Sequence, residues 1–117
     1  MTVMKSRTFR HGDVDGIGID EIPKDVRLLD TKTIMYGEAS GHHHTFDGQI
    51  LVYEPQSPHY IKVDGEQRQI VKYIDVQKTA SLVHQEHPAK SVAEGKYAIL
   101  QEVEFDPLEQ QIKRVTD

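Results

Sequence analysis

A chain of 117 residues with a formal net charge of −5 and no cysteine is sized for one domain, residues 1–117, with a core that needs no covalent staple. The missing cysteines exclude disulfides, thiolate zinc sites, iron–sulfur clusters and cysteine nucleophiles together. The negative charge, with the lysines and arginines scattered along the sequence, argues against general nucleic-acid binding through phosphates.

From the N-terminus, "MTVMKSRTFRHGD" lacks the apolar run of a signal peptide, and no later stretch approaches the roughly 18 apolar residues of a membrane helix. The expectation is a cytoplasmic protein without a membrane partner, or one made by a phage inside a cell. Turn signals then punctuate the chain at short intervals: "HGD" at 11–13, "DG" at 15–16, "IPKD" at 22–25, "SG" at 40–41 and "DG" at 47–48. They continue with "PQSP" at 55–58, "DG" at 64–65, "HP" at 87–88 and "EG" at 94–95. Short runs between frequent turns predict an all-β domain, an antiparallel sandwich or barrel.

The runs themselves are rich in β-branched and aromatic residues. An early strand is expected within 14–23, where the glycines allow a bulge or a close backbone approach. "TIMYGE" (33–38), "QILVYE" (49–54), "HYIKVD" (59–64) and "RQIVKYIDVQK" (68–78) follow. In the fourth the alternation is imperfect and defines no clean face. "KYAILQEVEF" (96–105) places Tyr97, Ile99, Val103 and Phe105 on one face, with Glu102 and Glu104 opposite, as a half-buried strand would. Gln101 falls on the apolar face, either lining a polar pocket or turned outward by a bulge. At the C-terminus, Asp106, Pro107, Leu108, Ile112 and Val115 fit one short helix, with a final strand as the rival.

Seven histidines stand at 11, 42, 43, 44, 59, 84 and 87. Five of them form two groups, "HHH" at 42–44 and "HQEH" at 84–87. In an extended segment His42 and His44 project from one face and His43 from the other. His-x-His on a strand presents two imidazoles to one ion. His84 or His87 supplies a third ligand, and Glu38 or Glu86 a fourth. A histidine–carboxylate set suits Zn, Fe, Mn or Ni better than Ca or Mg. Three protein ligands would leave a position open for water, and Glu86, between two histidines, is then the candidate catalytic base for metal-assisted hydrolysis. "HQEH" is not the metalloprotease motif, and Pro88 disfavours a helix there. Asp13 and Asp15 form D-x-D, but between "HG" and "DG" turn chemistry explains them better. No phosphate loop, dinucleotide glycine pattern or Ser–His–Asp order occurs.

"GEASGHHH", followed by "HQEH" and by "EGKYAILQEVEFDP" and "IKRVTD", resembles a set of small uncharacterised bacterial and phage-type proteins. Their pattern is Gly-Glu-x-x-Gly-His-x-His, then His-x-Glu-His, Gly-x-Tyr, Gln-x-Glu and Val-x-Asp. It falls here on Gly37, Glu38, Gly41, His42, His44, His84, Glu86, His87, Gly95, Tyr97, Gln101, Glu104, Val115 and Asp117. The resemblance implies where a site lies and carries no activity. A weaker, architectural analogy runs to cupins, barrels that hold one metal on His-x-His, a glutamate and a distant histidine. The expected glutamate shortly after His-x-His is absent here, with only Asp47 close by. The sequence thus leads to two expectations. The first is a divalent-metal-binding β domain acting on an unknown small molecule or protein. The alternative is a non-catalytic interaction or assembly protein, phage-derived or homo-oligomeric, whose histidines are structural.

Overall fold

The computed structural model describes residues 3–36, 43–84, 88–101, 103–106 and 111–114, with the backbone alone described at 4–6, 35–36, 43, 103–106 and 111–114. Among these residues every regular element is a β-strand. In chain order they are β1 (Val3–His11), β2 (Val14–Ile19), β3 (Val26–Leu29), β4 (Thr33–Tyr36), β5 (His43–Asp47), β6 (Ile50–Pro55) and β7 (His59–Val63). There follow β8 (Glu66–Ile70), β9 (Lys72–Val76), β10 (Ala80–Val83), β11 (Lys90–Val92), β12 (Gly95–Gln101), β13 (Val103–Asp106) and β14 (Gln111–Arg114). All pairings are antiparallel. No helix among the described residues is long and apolar enough to cross a membrane.

Six strands form the main sheet in the order β1-β2-β12-β9-β6-β3, and four form a second sheet in the order β11-β10-β5-β4. The expected turns carry the chain between them: "DG" at 47–48 leads from β5 to β6, and "EG" at 94–95 from β11 to β12. The sheets share one apolar cluster. Val14, Val52, Ile74, Val76, Tyr97 and Ile99 come from the main sheet, and Ile34, Phe46, Ala80, Leu82 and Val92 from the second. The other face of the main sheet is covered by the β7–β8 hairpin. There Ile61 and Ile70 of the hairpin pack with Ile17, Ile19, Tyr73, Ala98 and Leu100.

This third layer changes the reading of two runs. The 96–105 run is not one half-buried strand: β12 lies centrally in the main sheet, and Tyr97 to Gln101 are all buried. Tyr97 and Ile99 serve one core, Ala98 and Leu100 the other. The 68–78 run is two strands in different sheets, separated at Val71, which explains its broken alternation. At the C-terminus the final strand prevails over the helix: Gln111–Arg114 pairs with Val103–Asp106.

Candidate functional site

Four inward rows of the sandwich, those of β1, β5, β10 and β12, end on polar side chains that come together. In β5, Phe46 and His44 share a face, and β10 alternates through Ala80 and Leu82 to His84 just beyond its end. In β12, Ile99 is followed two residues on by Gln101, and in β1 Phe9 is followed by His11. A tight turn supplies the last member. Gly12 at φ 62 joins His11 to the strand-paired Val14 and leaves Asp13 at the second turn position, 2% exposed. A positive-φ glycine at the first turn position is the pattern of a type II′ hairpin. "HGD" is therefore a turn, as expected, and it also drives a carboxylate inward.

His11, Asp13, His44, His84 and Gln101 are all buried, His44 completely. The His44 and His84 rings lie 4.5 Å apart between centroids, His11 and His44 5.0 Å, and His11 and His84 6.2 Å. The Gln101 Nε2 amide donates to Asp13 Oδ2 at 2.9 Å. Asp13 Oδ1 lies 3.3 Å from His44 Nε2, at ion-pair distance. His44 Nδ1 faces His11 Nδ1 at 2.9 Å, and His11 Nε2 donates to the Pro88 carbonyl at 2.8 Å. Arg68 of the hairpin anchors this end of the sheet by donating to Asp15 Oδ2 at 3.0 Å and to the Gln101 carbonyl at 3.3 Å. Buried polar groups carry a desolvation cost unless paired, which makes a chain of such contacts a specific construction.

Proton bookkeeping sharpens the geometry. A backbone carbonyl only accepts, so His11 Nε2 holds a proton. The 3.3 Å approach of His44 Nε2 to Asp13 Oδ1 is an ion-pair distance and not a hydrogen bond, so the His44 proton can sit on either ring nitrogen. The His11 Nδ1 lone pair then faces His44 Nδ1 across 2.9 Å. With a proton on His44 Nδ1 the contact is an N–H···N hydrogen bond to His11, and a metal ion held by both nitrogens would take that proton's place. An outer N–H held by an acceptor with the inner nitrogen presented, as at His11, is the arrangement that orients histidine ligands in metal sites.

Of the residues expected from sequence, the structure brings together His44 of β5 and His84 just beyond β10. His42, His87, Glu38 and Glu86 lie outside the described residues. Among the described residues no group of three or more of His, Asp and Glu is arranged to hold a metal ion; the facing nitrogens are those of the pair His11 and His44. His11 and Asp13 were not expected as site residues. The signal for His11 was its place two residues beyond Phe9 on an inward row, and for Asp13 the turn that follows.

A second network lies on the hairpin side. The Tyr73 hydroxyl meets His59 Nδ1 at 2.7 Å, and His59 Nε2 lies 3.2 Å from Asp25 Oδ2, which also accepts from the Ser57 hydroxyl. Burial, with the Asp25 charge, pushes the Tyr73 phenol up to about 12. The Ser57 and His59 contacts hold the Asp25 carboxyl below its ordinary range. A neutral phenol donates to His59 and a carboxylate accepts from it, so this chain is satisfied without an extra charge. Ser57 meets the aspartate rather than the histidine, so the set is not a nucleophilic triad.

Residues 10–102 match the family model of a domain of unknown function, DUF8820, a span that includes all five residues of the buried cluster. No curated protein and no solved structure matches the chain.

Proposed function

The chain belongs to the DUF8820 family, and we propose that this domain binds a divalent transition metal through the Nδ1 atoms of His11 and His44. The observation that carries this reading is the 2.9 Å approach of two imidazole nitrogens whose outer partners face a carbonyl and a carboxylate. At metal–nitrogen bonds of about 2.1 Å that separation subtends an angle of roughly 90° at an ion, and a small opening reaches the tetrahedral angle. Asp13, held by Gln101, and the Pro88 carbonyl are the outer partners that fix ring orientation. His84 stands beside the pair, and His42, His87 and Glu38 are the further ligands the sequence nominates. Imidazole with carboxylate favours Zn, Fe, Mn or Ni. With a coordination position left for water, such an ion supports hydrolysis, Glu86 acting as base.

The test begins with elemental analysis of tag-free protein after dialysis, followed by thermal melts on adding Zn or Mn. Near-stoichiometric metal, and a melting temperature that rises with metal concentration, are expected. Both effects should vanish in His11→Ala and in His44→Ala. Metal-free protein with an unchanged melting temperature, together with a nitrogen-15 NMR signature of one proton shared by the two rings, would leave a structural imidazole pair and overturn the metal reading.

A further inference from the structure

Away from the histidines, the turn "PQSP" and the junction of β8 with β9 form an open cleft of about 460 Å³, lined among others by Glu54, Gln56, Ser57, Gln69 and Lys72. Lys72 is half-buried at the start of β9, and its ammonium forms no hydrogen bond or ion pair among the described residues. The other charged groups here are already engaged. Glu54 pairs with Arg27, and Asp25, behind the cleft, accepts from Ser57 and faces His59. The positive charge on this wall is thus left to Lys72, and the Gln56 and Gln69 amides add N–H donors. Because the Ser57 proton points at Asp25, its oxygen offers lone pairs to the cleft.

We propose that this cleft binds a small hydroxylated organic anion. Its oxyanion sits on the Lys72 ammonium with amide donors beside it, and a ligand hydroxyl donates to Ser57 Oγ. Lysine offers a compact point charge and not the fork of arginine, so it selects a single oxyanion without demanding bidentate geometry. Carboxylate and phosphate share that chemistry, and the assay separates them.

The test is NMR titration of the full chain, in the presence of a chelator so that metal plays no part, with acetate, inorganic phosphate and gluconate. Sodium chloride at matched ionic strength is the control. Saturable shifts are expected at Gln56, Ser57 and 69–72, with a dissociation constant on the order of 1 mM, as one charged contact with a few hydrogen bonds provides. Gluconate binding more tightly than acetate supports a hydroxy acid. Saturable binding of phosphate alone supports a phosphate ester. Lys72→Met should weaken binding at least tenfold, Lys62→Met, on the exposed hairpin, should leave it unchanged, and Ser57→Ala should weaken gluconate more than acetate. Should Lys72→Met fail to fold, Lys72→Arg keeps the charge and is expected to retain binding. Shifts that never saturate, that chloride reproduces, or that persist in Lys72→Met overturn the proposal.

Discussion

Tyr73 shows at the level of one residue how burial and hydrogen bonding set chemistry. Its ring fills the core under the hairpin, while its hydroxyl reaches His59. The phenol ionises at about 12, against an ordinary 10.0, because burial disfavours the anion and Asp25 repels it. Between those two values the unfolded chain has lost a proton that the folded chain still holds. Stability from this group is therefore intact below pH 10 and falls as pH rises toward 12. Ultraviolet titration of the tyrosinate band should show one tyrosine ionising near 12, and Tyr73→Phe should remove that step. His11 and His44 make the complementary point. The outer nitrogen of His11 is held by a carbonyl, and the chemistry of the pair concentrates where the two inner nitrogens meet.

The β7–β8 hairpin is the element whose attachment is most specific. Its strands pair only with each other among the described residues, so it joins the main sheet through side chains. Ile61 and Ile70 provide the apolar contact, Arg68 ties it to Asp15 and Gln101, and His59 ties it to Tyr73 and Asp25. A two-stranded ribbon alone is marginal in water, and packing is what stabilises it. His59→Leu keeps the bulk but leaves the Tyr73 hydroxyl buried without its acceptor, an expected loss of about 1–3 kcal/mol. Urea denaturation checks this. A loss below a few tenths of a kcal/mol would mean that the Tyr73–His59 contact is not formed in solution.

For the molecule as a whole, the two sheets are joined by one apolar cluster that ends in the histidine cluster. His11, Asp13 and Gln101 come from the main sheet, and His44 from the second with His84 just past its β10 strand. A bound ion would therefore bridge the sheets and add to the stability of the sandwich. Leu82, fully buried between the sheets in the same inward row as His84, tests the apolar part of that junction. Leu82→Ala should cost about 2–5 kcal/mol, read by calorimetry or denaturant melts. If the proposed metal acts at this junction, metal added to Leu82→Ala should recover part of the lost melting temperature, and added to the His44→Ala variant should recover none.

The sequence by itself determined the all-β class, because turn residues recur at short intervals and the runs between them are β-branched and aromatic. It also marked "HHH" and "HQEH" as one region of interest, and the inward partners His44 and His84 do meet. Period-two alternation tells which residues share a face, but not what covers that face. Hence only the tertiary structure decided that β12 is buried on both sides, that Val71 separates two strands, and that 111–114 pairs as a strand. His11 and Asp13 belong to the same category. They lie more than thirty residues from His44 along the chain, and a hairpin turn plus the pairing of two sheets brings them to it. Local pattern fixes the direction of each side chain, whereas long-range strand pairing fixes which of them converge.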